Sequence, residues 1–254
     1  MTPAISVTGI SKRFYYPAIP KQATLKEMIV KGWFREARKT NVVDALRDVS
    51  FAVEHGQTLG VIGRNGSGKT TLLRVLAGVF QPDSGSVYID GSLAPLLSLA
   101  AGFHPDLTGR ENARTELLVL GFTPRQVERH IDDIIDFADI GDFFDAPMRT
   151  YSTGMVMRVA FAAATSVDPD VLFLDEVLFV GDESFSTKCL DRITAFKRRG
   201  KAIVMVSHSN AAIVEHCDVA LWLDRGRVAG FGDPSDITSA YHNAAMEASA
   251  QLLA

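Results

Sequence analysis

The chain has 254 residues, of which 47% are hydrophobic and 22% charged, and its formal net charge is −4. This length accommodates one large α/β domain or a domain with an inserted lobe, and the composition excludes an intrinsically disordered chain. The negative charge argues against a general nucleic-acid binder. The longest apolar run, Leu93 to Phe103, is about half the length of a membrane helix, and the N-terminus lacks a signal peptide, so we expect a cytoplasmic protein.

Two strands are predicted near the N-terminus, with a basic insert between them. The first strand contains Ile5 and Val7 and leads into a turn with three aromatic residues, Phe14–Tyr16; the second is Val49–Val53. Within the insert, residues 21–40, basic residues outnumber acidic residues six to two, and the apolar residues share one helical face. This pattern is typical of contact with anionic headgroups or an anionic polymer, and a surface helix docked on the domain is the alternative.

A phosphate-binding motif follows the second strand. Leu59–Ile62 predicts a buried strand, GRNGSGKT at residues 63–70 matches G-x-x-x-x-G-K-[ST], and Thr71–Ala77 continues at helical spacing. In such a loop, backbone N–H groups and the helix N-terminus surround phosphate oxygens. We expect Lys69 to bind the β- and γ-phosphates of ATP and the Thr70 hydroxyl to coordinate Mg²⁺. The predicted nucleotide contacts of this motif are Gly63, Arg64, Asn65, Gly66, Ser67, Gly68, Lys69, Thr70 and Thr71.

Two buried parallel strands, Val171–Leu174 and Ile203–Val206, are each followed by polar residues. Because parallel strands end at one edge of a sheet, these polar residues should lie near the phosphates. Asp175 is expected to hold Mg²⁺ through a water molecule, and Glu176 to orient the water that attacks the γ-phosphate. His208 is expected to hydrogen-bond the γ-phosphate.

The remaining predicted elements are helical, except for one hairpin. Helical periodicity runs from Thr108 to Ala164, with one helix that begins at Pro124 and ends at Gly141. The hairpin pairs Leu221–Leu223 with Val228–Phe231, and a C-terminal helix covers 236–254. The two cysteines, Cys189 and Cys217, match no metal or disulfide pattern and are predicted to be reduced packing residues.

The segment YSTGMVMRVAFAAA, residues 151–164, lies between the phosphate-binding motif at 63–70, called the glycine loop below, and the strand that precedes Asp175 and Glu176. With this segment the chain resembles the ABC ATPase family, in which LSGGQ precedes a helix. The resemblance implies an α/β P-loop NTPase with an antiparallel β element, an ATP-binding core at 1–99 and 166–235, and a helical subdomain at 100–165. It also implies a head-to-tail homodimer in which the signature residues act in trans on the partner's nucleotide. Those signature residues are Tyr151, Ser152, Thr153, Gly154 and Met155.

The same resemblance assigns further roles and shows three departures. It implies a D-loop aspartate at Asp182, a switch histidine at His208 and an adenine-stacking aromatic at Phe14 or Tyr15. Thr153 and Met155 replace the usual glycine and glutamine, and Val177 replaces a proline. No glutamine occurs between Gln81 and Gln126, so Leu99 or Ser98 stands where the family senses Mg²⁺ and the membrane partner.

Three segments, AAGFHPDLTGREN, YSTGM and DEVLFVGDESF, resemble the subgroup that exports surface polysaccharides such as O-antigen, capsule or teichoic acid. This resemblance implies ATP and Mg²⁺ as cofactors, a lipid-linked glycan substrate, and a separate integral membrane subunit in two copies. It implies a peripheral location on the cytoplasmic face of the inner membrane, and we expect no C-terminal carbohydrate-binding domain. The alternatives are an importer or drug-exporter ATPase and a non-transport ABC ATPase; nucleic acid is not an expected partner.

Overall fold

The computed structural model describes residues 2–17, 40–96, 99–174, 183–207 and 209–253. Most of the predicted insert, 21–39, lies outside these residues. The strands within the described ranges are β1 (Ile5–Pro17), β2 (Thr40–Val53), β3 (Thr58–Ile62), β4 (Ser84–Ile89), β5 (Leu93–Leu96), β6 (Val171–Leu174), β7 (Ala202–Val206), β8 (Val219–Asp224) and β9 (Arg227–Gly232). The α-helices are α1 (Lys69–Leu76), α2 (Gly109–Val119), α3 (Pro124–Ala138), α4 (Thr153–Thr165), α5 (Glu183–Arg198), α6 (Asn210–His216) and α7 (Pro234–Leu253).

The six-stranded sheet has the order β5-β6-β7-β3-β8-β9 and is parallel except for the β8–β9 pair. Every residue of β3, β6 and β7 is buried, which fits their almost wholly apolar sequences, Thr58 being the one polar residue among them. These three strands run in the same direction and therefore end at the same edge of the sheet. The glycine loop follows β3 at this edge, and the sequences that carry Asp175 and His208 follow β6 and β7.

The second sheet is antiparallel, with the order β2-β1-β4. The predicted turn at Phe14–Tyr16 is wrong, because β1 continues through these residues to Pro17 and pairs with the start of β2. Tyr15 lies opposite Val42 in this pair. Aromatic and β-branched side chains favour the pleated surface of a two-stranded ribbon, and this preference extends the strand.

The helical lobe consists of α2, α3 and α4, whose buried side chains form a hydrophobic cluster of their own. α2 and α3 begin with capping boxes, Thr108 with Glu111 and Thr123 with Gln126. The predicted end of α3 at Gly141 is wrong by three residues. The helix stops at Ala138. Asp139 adopts a left-handed conformation with a φ of 52°, and its N–H donates a hydrogen bond to the carbonyl oxygen of Ile135.

Three further features complete the fold. α7 begins at Pro234, where the Asp233 carboxylate accepts hydrogen bonds from the N–H groups of Ser235 and Asp236. Cys189 and Cys217 are free thiols in the core, and burial raises the pKa of each to about 12. No helix in the described part of the chain combines the length and apolar character that a membrane span requires. The α/β fold with an antiparallel sheet and a helical lobe confirms the predicted fold class.

Candidate functional site

The glycine loop connects the end of β3 to the start of α1 and is packed against the β8–β9 hairpin. A Cβ atom on Gly63, whose φ is 149°, would lie 2.2 Å from the carbonyl oxygen of Leu223. A Cβ atom on Gly68, whose φ is 111°, would lie 2.5 Å from the carbonyl oxygen of Ala45. Both positions therefore require glycine, because neither the space nor the backbone conformation admits a side chain.

Lys69 lies inside the loop that precedes it and is only 7% exposed. Its ammonium group donates hydrogen bonds to the carbonyl oxygens of Gly63 at 2.6 Å and Arg64 at 3.2 Å. The hydroxyl of Ser67 is buried beside it and has no hydrogen-bond partner within the described residues. A buried cation and an unsatisfied hydroxyl in one loop fit a phosphate group, which supplies negative charge and acceptor oxygens together.

The loop borders a cleft of about 570 Å³. The cleft is lined by the loop and the start of α1, including Thr70 and Thr71, and by residues of β1 and β2. Phe14 forms part of the wall of this cleft. Its ring packs edge-on against the ring of Phe80, with the two ring centroids 5.3 Å apart. Tyr15 follows on the opposite face of β1 and is 66% exposed, so the strand geometry places Phe14 and not Tyr15 at the cleft.

The turn between β8 and β9 connects the glycine loop to β2. Arg225 and Gly226 both have positive φ, 44° and 78°, as a two-residue hairpin turn requires. The Gly226 N–H donates to the Ser67 carbonyl at 2.8 Å, and its carbonyl accepts the Arg47 N–H at 2.7 Å. The hairpin was predicted from the sequence, but its contact with the loop was not. Arg47 and Asp44, which also line the cleft, were not predicted either.

The five signature residues lie at the start of α4 in the helical lobe. Ser152 is the N-cap residue of α4, and its hydroxyl accepts a hydrogen bond from the Met155 N–H at 3.2 Å. Thr153, Gly154 and Met155 form the first turn, where helix N–H groups have no partner within the helix. None of the residues 151–155 lines the cleft beside the glycine loop. One chain therefore presents two candidate anion-binding sites in separate places.

Several predicted site residues lie outside the described residues: Asp175, Glu176, Asp182 and His208, together with the departures Val177 and Ser98. Of the predicted nucleotide contacts, the structure brings together at one cleft Phe14, Asn65, Gly66, Gly68, Lys69, Thr70 and Thr71. Arg64 and Ser67 line a second cleft on the loop instead. The structure places the signature elsewhere and leaves the predicted catalytic residues as sequence-based assignments.

The model of the ABC transporter family matches residues 46–178. The chain belongs to the ABC transporter family. It is 44% identical over 98% of its length to the O-antigen export system ATP-binding protein RfbB of Myxococcus xanthus, and spans 57% of that relative.

Two other relatives show similar identity. RfbB of Klebsiella pneumoniae is 42% identical over 79% of this chain and 81% of its own length. The teichoic acids export ATP-binding protein TagH of Listeria monocytogenes is 42% identical over 84% of this chain, which spans 63% of TagH. The predicted membership of this family, and the resemblance to its polysaccharide-exporting subgroup, are confirmed.

Solved structures confirm the fold. An ATP binding subunit of an ABC transporter matches with a TM-score of 0.72 at 22% identity, over 94% of this chain and 93% of its own. An ATP-binding cassette dimer in a post-hydrolysis state, bound to ADP and Pi, matches with a TM-score of 0.70 at 18% identity, over 91% of this chain and 98% of its own.

Proposed function

We propose that this chain is the ATP-hydrolysing subunit of an ABC exporter and drives export of a lipid-linked surface polysaccharide through a separate integral membrane subunit. The ATP-binding part rests on the buried ammonium of Lys69 inside a glycine loop that borders an open cleft. The export part rests on identity above 40% to proteins named for O-antigen and teichoic acid export.

The described residues suit a nucleotide of the ATP type. Lys69 would bind the β- and γ-phosphates, and Phe14 would stack on the adenine. Thr70, exposed at the start of α1, would hold Mg²⁺ together with Asp175. Bound Mg²⁺ supplies charge neutralisation at the phosphates.

The hydrolytic step is assigned to residues that follow β6 and β7 in the chain. We assign Glu176 to orient and deprotonate the attacking water, and His208 to hydrogen-bond the γ-phosphate. Asp182 would contact the partner chain at the dimer interface. These roles rest on the family resemblance and on the sheet order, in which β6 and β7 end at the same edge of the sheet as β3, with β7 next to β3.

We further propose a head-to-tail homodimer, because the signature and the glycine loop of one chain do not share a cleft. Ser152 and the first turn of α4 would complete the partner's nucleotide site, where a helix N-terminus favours an anion. The ATP-binding core would comprise 1–99 and 166–235, the helical subdomain 100–165 and the C-terminal helix 236–254. Two copies would bind two membrane subunits on the cytoplasmic face of the inner membrane.

Glu176→Gln tests this proposal. The amide retains the shape of the site but cannot accept a proton, so ATP binding should persist, turnover should fall by at least about 100-fold, and ATP-bound dimers should accumulate. Glu215→Gln, the same change at an exposed position, is the control and should keep wild-type turnover. Glycan export in cells should stop with the first variant only. Turnover near the wild-type rate would remove Glu176 from the mechanism, and normal export would remove the transport role.

The basic insert has its own test. Reversal of three of its charges should leave the ATPase activity of the isolated chain intact, because the sequence motifs assigned to ATP binding and hydrolysis lie outside the insert. Export should fall if the insert contacts the membrane partner or an anionic glycan carrier. Unchanged export at normal protein levels would leave a docked surface helix as the explanation. The three changes are Lys31→Glu, Arg35→Glu and Arg38→Glu.

A further inference from the structure

The phenol of Tyr151, the first signature residue, is hydrogen-bonded to two other segments of the helical lobe. Its hydroxyl donates a hydrogen bond to the carbonyl oxygen of Phe143 at 2.5 Å and accepts one from the N–H of Gly109 at 3.2 Å. Phe143 belongs to the 3-10 turn Gly141–Asp145, and Gly109 is the first residue of α2. One hydroxyl therefore joins the signature loop to both segments.

This hydroxyl serves a backbone group that the helix itself leaves without a partner. The first N–H groups of a helix have no intrahelical acceptor, and the Thr108 cap of α2 accepts the Glu111 N–H, not that of Gly109. Gly109 is buried, so its N–H depends on the phenol oxygen. Burial raises the pKa of Tyr151 above its ordinary value, so the hydroxyl remains a donor at neutral pH.

Gly109 and Tyr151 also fit each other sterically. A Cβ atom on Gly109 would lie 2.5 Å from the Tyr151 hydroxyl oxygen, but 3.4 Å from the ring carbon that carries it. The next closest atom is the carbonyl oxygen of Phe144 at 3.1 Å. The absence of a side chain at position 109 is thus matched to the hydroxyl at position 151.

Further bonds hold the same two segments in one arrangement. The Arg110 guanidinium binds the Asp145 carboxylate at 2.6 and 2.9 Å. Next to these segments, the N–H of Met148, three residues before Tyr151, donates to the carbonyl of Leu107, two residues before Gly109, at 2.8 Å. Ser152 follows Tyr151 at once, and its hydroxyl caps α4. The direction of Ser152 is therefore fixed by the phenol clamp on one side and by the helix on the other.

We infer that Tyr151 is a positioning residue: its hydroxyl clamp sets the direction in which Ser152 and the first N–H groups of α4 face the partner's nucleotide. This inference rests on the proposed function, since it concerns the composite site of the dimer. Tyr151 does not line the cleft beside the glycine loop, so the clamp acts on the partner's site and leaves the chain's own first ATP contacts unchanged.

Tyr151→Phe is the direct test, because it removes the oxygen and keeps the ring. ATP affinity of the isolated monomer should stay within about twofold, while kcat should fall about tenfold, as expected when the buried Gly109 N–H loses its partner. The Phe143 carbonyl would still accept the Ala146 N–H at 2.8 Å. In a Glu176→Gln background, the ATP concentration needed to form dimers should rise by a similar factor. Tyr88→Phe, which changes an exposed tyrosine in the same way, should alter neither quantity.

A second variant separates positioning from general damage to the lobe. Gly109→Ala should impair ATP-dependent dimerisation in the wild type, because the new Cβ displaces the hydroxyl. In a Tyr151→Phe background, Gly109→Ala should impair ATP-dependent dimerisation much less, since the hydroxyl oxygen that the new Cβ would meet is gone. Additive losses of dimerisation, or a loss explained wholly by a lower unfolding temperature, would overturn the inference.

The outcomes also distinguish this inference from the proposed function. If the Glu176→Gln chain fails to dimerise with ATP, the proposed function fails and this inference falls with it. If that chain dimerises and Tyr151→Phe leaves the ATP dependence and kcat unchanged, only the inference is wrong. A kcat loss with unchanged monomer affinity, together with the non-additive Gly109 pair, supports the clamp.

Discussion

Phe14 offers a quantitative prediction, because the structure separates it from its neighbour Tyr15. Stacking of a base on an aromatic side chain contributes about 1–3 kcal/mol by alanine substitution. Because 1.4 kcal/mol is tenfold in an equilibrium constant, Phe14→Ala should raise the Kd for ATP by about tenfold. Tyr15→Ala should leave it unchanged, since Tyr15 is on the opposite face of β1.

The loss of ATP affinity in Phe14→Ala should reflect a lost contact with the adenine base and not with the phosphates. Equilibrium binding of ATP and of inorganic triphosphate by the purified chain measures the two contributions separately. Triphosphate should bind Phe14→Ala and the wild type with equal affinity, because Lys69 and the loop are untouched. Loss of the ring contact with Phe80 should cost some stability, about 0.5–1.5 kcal/mol. Equal weakening of ATP and triphosphate would refute stacking and indicate a distorted loop.

Two further predictions concern the loop and the opposite end of the sheet. Gly63→Ala should abolish ATP binding, measured by equilibrium dialysis, because its Cβ would lie 2.2 Å from the Leu223 carbonyl; Gly66→Ala, with nothing within 4 Å of its Cβ, should retain more binding. Hydrogen bonds from Ser92 lower the pKa of Asp170 in the folded chain. The Asp170 carboxylate therefore stabilises the fold fully at pH values above its unfolded-state pKa of about 3.9. This stabilisation is lost as the pH falls through the lower folded-state pKa. Asp170→Asn should therefore lower the urea midpoint at pH 7 by more than it does at pH values below the folded-state pKa of Asp170, and an equal shift at both pH values would contradict this.

The sequence was sufficient where burial or a local motif determines structure. β3, β6 and β7 are buried on both faces, so their apolar runs identified them directly. The glycine loop was identified because its residue types and spacing follow from the need to surround phosphate.

Elements that depend on distant partners were missed. β4 is mostly exposed and is a strand because it pairs with β1, far away in the chain. β5 contains Pro95, which is tolerated because this strand lies at the edge of its sheet.

The candidate site shows the same division. Lys69 and Thr70 followed from the motif, but the choice between Phe14 and Tyr15 required the strand geometry. The clamp between Tyr151 and Gly109 joins residues 42 positions apart, and no local pattern in either segment predicts it. Nonlocal backbone contacts of this kind appear only in the folded chain.

The central claim, a composite ATP site shared by two copies of the chain, is tested most directly by mixing two inactive variants. Lys69→Ala removes the phosphate-binding ammonium. Ser152→Asp keeps a good helix cap but places a negative charge where the partner's phosphate would bind. A heterodimer of these chains contains one intact site, so an equimolar mixture should recover about a quarter of the wild-type ATPase activity if the dimers exchange freely. No recovery, with heterodimers shown to form, would contradict the account.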